Sequence, residues 1–151
     1  MNNLFKPDNY DDFIHWLRNY NVGKQVLDAT GLDNFENESF LAKLNYEQTG
    51  FIFLSLDSTG LTQGEIIMDD KSDNRVVLKR INIKEVVNVE CSLSDYTETY
   101  HGHQFNQIQY SVFLRNGNRL ELRSTDYVTK YERNSSQKFM ELGRRLLNKF
   151  R

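Results

Sequence analysis

The hydrophobic pattern of this chain changes its period near Gly50, and this change constrains the fold more than any other feature. Before it, apolar residues recur at the spacing of one helix face: Phe13, Trp16, Leu17 and Tyr20. After it, apolar and polar residues alternate in short runs separated by turn residues, which is typical of antiparallel strands. The sequence therefore predicts a helical segment over residues 1–49 and a β-rich region over residues 50–151.

The N-terminal segment contains three candidate helical stretches. Asp8 or Asn9 can cap the first helix, since their side-chain oxygens accept hydrogen bonds from the first helical amides. A second, shorter helix ends near Gly31. Residues 36–44, which read ENESFLAKL, are predicted to add a further turn or two of helix.

The β-rich region holds about seven candidate strands. They are GFIFLSLD, LTQGEIIMD, RVVLKRI, EVVNVECSL, YTETYH, QIQYSVFLR and RLELRS. The chain then closes with an amphipathic helix, whose apolar stripe consists of Phe139, Leu142, Leu146, Leu147 and Phe150. Because helices and strands do not alternate, a doubly wound parallel sheet is disfavoured. We predict a single α+β domain, residues 1–151, with the helical segment packed on the β region.

The order of the predicted elements resembles the pleckstrin-homology-like (PH-like) superfold. The stretches that carry the resemblance are VLKRINIKEVVNVECS, YSVFLRNGNRLELRS and SSQKFMELGRRLL. They are similar to stretches of bacterial PH-like domains, and the arrangement is similar to small uncharacterised proteins of Gram-positive bacteria and their phages. The resemblance covers roughly residues 50–150 and implies a bent, partly open barrel closed by the last helix. Such a fold hosts many functions, so the resemblance implies no particular chemistry.

Composition and charge exclude several classes of protein. The net charge is −2, with 8 acidic and 4 basic side chains over residues 1–49, so the acidic body argues against general nucleic-acid binding. The sequence lacks a long apolar run and an N-terminal signal pattern, and it has one cysteine, Cys91. We therefore expect a cytoplasmic protein without a transmembrane segment. No phosphate-loop, dinucleotide or nucleophile motif is present, so no cofactor is predicted.

The histidines include a close pair, His101 and His103, in the sequence YHGHQF. On a continuous strand the two would face the same side and could share a metal ion with a third ligand. Cys91 is an unfavourable third ligand, because the alternation predicts that it faces the core as a small hydrophobic residue. Gly102 lies between the histidines and favours a turn in which it adopts a positive φ. A turn is the preferred interpretation, and a metal site is the alternative.

Two further groups are candidate ligand-binding or partner-binding residues. Tyr96 and Tyr100 alternate with threonines on one predicted strand, where they suit protein recognition or ordinary cross-strand packing. Three cations line the last hairpin: Arg115, Arg119 and Arg123. They could bind an anion, although the intervening Glu121 is expected to neutralise the patch.

The C-terminal helix is basic as well as amphipathic. Its cations are Arg133, Lys138, Arg144, Arg145, Lys149 and Arg151. Such a helix can contact anionic lipid or bind a partner. A stripe of five large apolar residues favours docking onto the sheet instead, so peripheral lipid contact is the weaker alternative.

Three functions remain open at this point. The preferred one is a non-catalytic binding module that recognises a protein or peptide through a sheet edge or the tyrosine-bearing strands. The second is a metal-dependent hydrolase centred on His101 and His103. The third is a small acidic inhibitor or immunity-type protein, whose negative N-terminal segment meets a basic partner.

Overall fold

The computed structural model of the chain describes residues 6–19, 21–45, 49–68, 74–99, 102–129 and 132–150. The helices and strands are α1 (Tyr10–Asn19), α2 (Asn21–Thr30), β1 (Asn37–Leu44), β2 (Gly50–Asp57), β3 (Gly60–Met68), β4 (Asn74–Asn82), β5 (Val86–Thr99), β6 (Gly102–Leu114), β7 (Arg119–Arg123), α3 (Ser124–Tyr127) and α4 (Arg133–Asn148). The predicted α+β class is confirmed. None of the described helices is long and apolar enough to span a membrane.

The chain divides into two compact units, Met1–Ile81 and Asn82–Arg151. The N-terminal unit holds a four-stranded sheet in the order β1-β2-β3-β4, and the C-terminal unit holds a three-stranded sheet in the order β5-β6-β7. The strand pairs that the structure describes are antiparallel, as the alternation predicts. The described strands therefore number seven but fall into two sheets.

Helix α1 begins where its capping residue predicts. The Asn9 side chain accepts a hydrogen bond from the Asp12 amide at 2.8 Å and donates one to the Asp12 carboxylate at 3.1 Å. The helix then buries Phe13 and Leu17, both at most 1% exposed, against the sheet. The apolar stripe read from the sequence thus faces the core of the N-terminal unit; Tyr20 lies outside the described residues.

The prediction of helix over residues 36–44 is wrong, because this segment forms strand β1. It pairs antiparallel with β2, and Leu41 lies opposite Leu54. Phe40, Leu41 and Ala42 are all buried, so both faces of the strand are covered and its sequence lacks the alternation of a half-exposed strand. Pairing with β2 overrides the helix-favouring residues of the segment. The boundary that we placed after residue 49 consequently separates two paired strands.

Four phenylalanines form the centre of this unit; we call them the buried phenylalanine cluster: Phe13, Phe40, Phe51 and Phe53. The Phe13 ring lies 4.7 Å from that of Phe53 and 5.4 Å from that of Phe40, centroid to centroid. Gly64 lies opposite Phe53 in the register, and a Cβ there would come within 2.3 Å of the Phe53 ring. The glycine therefore provides the space that this ring fills.

The C-terminal unit is a long hairpin with a helix packed on part of it. Strands β5 and β6 have 14 and 13 residues, whereas β7 pairs only with Gln109–Phe113 of β6. Helix α4 buries Phe139, Leu142 and Leu146, all at most 1% exposed, so this part of the stripe docks as predicted. The Tyr110 ring packs against Phe139 at 5.5 Å.

Two predicted strands, EVVNVECSL and YTETYH, fall on one strand over their described part, since β5 runs without a break from Val86 to Thr99. Asp95 interrupts it locally with a φ of 57°, yet the pairing with β6 continues in the same register on either side. Residues 92–99 of β5 and 102–108 of β6 extend past the end of β7 as a two-stranded ribbon. We call this ribbon the arm.

Candidate functional site

The arm places three aromatic side chains on one exposed face. Tyr96 lies opposite Phe105 in the register, and His103 follows at the next position of β6 on the same face. The Tyr96 ring is 5.2 Å from Phe105 and 5.8 Å from His103, and it lies within 7° of parallel to the imidazole. Tyr96 is 52% exposed and Phe105 46%. We call this group the arm aromatic cluster.

Hydrogen bonding orients the imidazole within this cluster. The Tyr96 hydroxyl lies 2.6 Å from His103 Nδ1, and Glu98 Oε1 lies 3.6 Å from the same nitrogen. All three side chains are mainly exposed, so solvent screens the charge interaction. The imidazole is therefore positioned by its neighbours on the arm, with the phenol as its closest polar partner.

The predicted metal pair is only half described. His101 and Tyr100 both lie outside the described residues. Gly102 has a φ of 127°, so the prediction that this glycine adopts a positive φ is confirmed, although it is the first residue of β6. Within the described part of the chain, no three His, Cys, Asp or Glu side chains are grouped as metal ligands would be.

The prediction that Cys91 is buried is wrong, since the residue is exposed. A bulge between Val86 and Asn88 changes which residues of β5 face inward, so Val86 and Val89 are buried while Val87 is exposed. Partial burial nevertheless raises the pKa of the Cys91 thiol, opposed by its hydrogen bond with the phenol of Tyr110, its register partner. Burial likewise raises the pKa of Tyr110 to about 12. A raised thiol pKa is the opposite of what a nucleophile needs.

The predicted arginine patch is engaged by its own neighbours. Glu121 pairs with Arg119 at 3.0 Å and also with Arg123, which confirms the neutralisation expected from the sequence. The Arg123 guanidinium additionally donates to Gln109 at 3.2 Å. Arg115 donates to the backbone carbonyl of Lys84 at 2.8 Å. The guanidinium groups therefore organise the ends of β6 and β7 and do not converge on one anion position.

A buried ion pair in the N-terminal unit was not visible in the sequence. The Arg80 guanidinium donates to the two carboxylate oxygens of Asp57 at 2.7 and 3.0 Å, and it lies 3.7 Å from the Phe35 ring centroid. Burial alone would raise the pKa of Asp57, but hydrogen bonds from Arg80 and Thr59 hold that pKa below its usual range. The partners are 23 residues apart, so no local pattern could have identified them.

Asp57 is 3% exposed, and both of its oxygens accept hydrogen bonds within the protein. The Oδ1 atom accepts from the amides of Thr59 and Gly60 at 2.8 and 2.9 Å, in addition to the bond from Arg80. The carboxylate thus closes the turn between β2 and β3 and anchors β4. We regard this network as structural, because the carboxylate is buried and bonds to donors of its own turn and of β4.

The N-terminal unit also contains a cleft of about 750 Å³ beside helix α1. Four acidic residues line it: Asp11, Asp12, Asp33 and Glu36. His15 and the cation Arg18 share the lining, and Arg18 lies 3.8 Å from an Asp33 oxygen. The cleft is therefore of mixed charge, in contrast to the arm, which carries no lysine or arginine.

Comparisons of the chain with protein-family models, with curated proteins and with solved structures gave no significant match.

Proposed function

We propose that the chain is a non-catalytic binding module that recognises a protein or peptide through the arm. The observation that carries this proposal is the arm aromatic cluster, in which Tyr96, Phe105 and His103 pack together while remaining about half exposed. Aromatic side chains provide large contact area at a low cost in conformational entropy, and they are enriched at interfaces.

The composition of the arm narrows the chemistry of the partner. Residues 92–108 include Asp95 and Glu98 but no lysine or arginine. A nucleic-acid ligand would require cations along the ribbon, so the charge favours a protein surface that is apolar and positively charged. The exposed fraction of Leu93, 50%, adds further apolar area to the arm.

The proposal is tested by comparing proteins retained from cell extract by three immobilised chains: the wild type, Tyr96→Ala/Phe105→Ala, and Gln104→Ala as a matched control. The Gln104 side chain lies between His103 and Phe105 in sequence and therefore faces the opposite side of the ribbon. We expect a protein that the wild type and the control retain equally and that the double variant loses. Equal retention of every bound protein by all three chains would refute the arm as the recognition surface.

The hydrolase alternative remains a prediction with its own test. Metal analysis of the wild type and of the His101→Ala/His103→Ala variant would detect bound zinc that depends on the pair. Bound zinc that disappears in the variant would displace the binding-module proposal.

The acidic-inhibitor alternative also remains a prediction. It places the interface on the negative N-terminal segment, so substitutions on the arm would leave partner capture unchanged. Under this alternative, the amount of basic partner that the chain captures would fall steeply as salt is added.

We also propose that the chain belongs to the PH-like superfold. Seven described antiparallel strands followed by an amphipathic C-terminal helix support this proposal. The proposal concerns architecture alone, since members of a superfold share no single activity.

A further inference from the structure

The β6 side of the arm presents an open sheet edge. Among the described strands, only β7 pairs with this side of β6, and its pairing ends at Gln109. At Ile108 the backbone amide already bonds to the Ser124 hydroxyl at 3.0 Å instead of to a strand. The described residues from Gly102 to Gln107 are all exposed, so no described element covers this edge.

The direction of the backbone groups along β6 follows from three hydrogen bonds. The amides of Ile108 and Leu114 point towards the β7 side, to Ser124 and Asn118, whereas that of Arg115 points to Glu85 on the β5 side. Because directions alternate along a strand, the amide and carbonyl groups of Gln104 and Asn106 point to the open edge. The odd-numbered residues, including His103 and Phe105, direct theirs to β5.

The two long edges of the arm differ in how they discourage pairing. Within the arm, strand β5 carries Asp95 and Glu98 and has a positive φ at Asp95. Charges and irregularities of this kind are the devices that keep an exposed edge from pairing with other chains. Residues 102–108 of β6 contain no Lys, Arg, Asp, Glu or Pro, and their pairing with β5 has no register shift. Only the β5 edge is protected.

We propose that the open β6 edge binds an extended segment of a partner protein, which adds to the arm as a further strand. This inference rests on the proposed function and names its mode of recognition. Side chains of the added strand would alternate between the face of Phe105 and the face of Gln104 and Asn106. Next to the open edge the first face presents Phe105 and the second presents the side-chain amides of Gln104 and Asn106, so the favoured segment alternates aliphatic with polar residues.

Charge selects cations for the polar positions of that segment. The arm carries Asp95 and Glu98 without a lysine or arginine, so a basic segment is attracted and an acidic one is repelled. A second copy of the same arm carries the same two carboxylates and likewise no lysine or arginine, so it offers no opposite charge. The partner is therefore a basic, extended peptide segment and not another copy of this chain.

The test uses a synthetic peptide of sequence KVKVKVK with a fluorescent label, and it measures binding to the full chain by anisotropy. We expect saturable binding with a dissociation constant of about 1 mM or tighter. The acidic counterpart EVEVEVE and a KVKVKVK peptide N-methylated at alternate residues should bind at least about tenfold more weakly. Absence of saturable binding by KVKVKVK, or equal binding of all three peptides, would overturn the proposal.

The decisive variants are Gln104→Pro and its matched control Gln104→Ala. Proline removes the one amide of that residue, which points to the open edge, while the β5–β6 hydrogen bonds use its neighbours. Both variants lose the same side chain, so a difference between them isolates the backbone. We expect Gln104→Pro, which lacks the amide, to bind KVKVKVK about tenfold more weakly than Gln104→Ala, which keeps it. Unchanged amide spectra for β5 and β7 confirm that the variants are folded.

The outcomes separate this inference from the proposed function. Equal affinity of the two Gln104 variants, combined with loss of binding in Tyr96→Ala/Phe105→Ala, would refute edge pairing and leave the aromatic face as the binding surface. Binding that no arm variant weakens would refute both. Sedimentation that shows a dimer of the wild type, but not of Gln104→Pro, would assign the edge to a second copy and overturn the peptide partner.

Discussion

The buried phenylalanine cluster and the arm aromatic cluster are built by the same means and placed in opposite surroundings. Each joins neighbouring antiparallel strands through rings about 5 to 6 Å apart, a distance at which aromatic pairs attract one another. Phe53 is 0% exposed beneath helix α1, whereas its counterpart Phe105 is 46% exposed on the arm, which extends beyond the end of β7.

The difference between the clusters shows what aromatic residues contribute in each place. Full burial of a phenylalanine side chain stabilises a fold by about 2 to 3 kcal/mol relative to exposure. Phe105 and Tyr96 forgo much of that stabilisation, so their presence on the arm calls for a reason other than folding. Contact with a partner supplies one, because the remaining area becomes buried on binding.

The largest effect should follow truncation of the buried cluster. Phe53→Ala removes a ring that contacts Phe13, Phe40 and Phe51, and it leaves a cavity beside Gly64. We expect the free energy of unfolding, measured in urea, to fall by about 4 kcal/mol. The free energy of unfolding of the matched variant Phe105→Ala should lie within about 1 kcal/mol of the wild-type value. Equal losses of unfolding free energy in the two variants would show that the two clusters contribute equally to stability.

The second effect concerns the ion pair that anchors β4 in the same unit as the buried cluster. Arg80→Met leaves the Asp57 carboxylate buried without its main partner, and we expect a loss of about 3 kcal/mol at pH 7. The Asp57 pKa is depressed in the folded state, so the pair's contribution is complete above the ordinary value of 3.8 and disappears as the pH falls through the folded value.

The urea-derived stabilities of wild type and Arg80→Met should therefore converge below about pH 3.8. Asp57→Asn serves as the control, because it removes the titrating group and should flatten the acid limb of the stability profile. A difference between wild type and Arg80→Met that stays constant down to pH 2 would show that Arg80 acts through packing on Phe35 alone.

A third, intermediate effect tests the buried aromatics of the unit that carries the arm. A Cβ at Gly143 of α4 would lie 2.0 Å from the Tyr110 ring, which packs on Phe139. We expect Gly143→Ala to destabilise the chain by about 2 kcal/mol, although alanine is the better helix former. Gly143→Ala/Tyr110→Leu should recover part of that loss. A stabilising Gly143→Ala would mean that the helix is not docked on Tyr110.

The sequence was sufficient for elements whose partners are local. The alternation identified β2 and β3 almost to the residue, and the spacing of Phe139, Leu142 and Leu146 identified α4. Of the two expected caps of α1, Asp8 and Asn9, Asn9 is the one that bonds to the first turn. The same reasoning failed where pairing with another strand determines the secondary structure. Strand β1 appears helical in isolation and becomes a strand because β2 lies beside it.

The candidate site was predicted only in part. Tyr96 and His103 were both singled out, but as members of different hypotheses, and Phe105 was missed. Register across a hairpin cannot be read from one strand, and the bulge near Val86 leaves Val87 exposed. The position of Tyr96 outside the core becomes visible only when β5 is seen to extend beyond β7.

The smallest effect on stability should accompany the largest effect on recognition. Tyr96→Ala/Phe105→Ala removes only half-exposed rings, so the midpoint and slope of urea unfolding should change little, with a loss of about 1 kcal/mol or less. Partner retention should nevertheless be abolished, because the same rings supply most of the apolar contact area of the arm. A loss as large as that of Phe53→Ala would place these residues in the folding core after all. A stable variant that still captures its partner would show that Tyr96 and Phe105 are not part of the recognition surface.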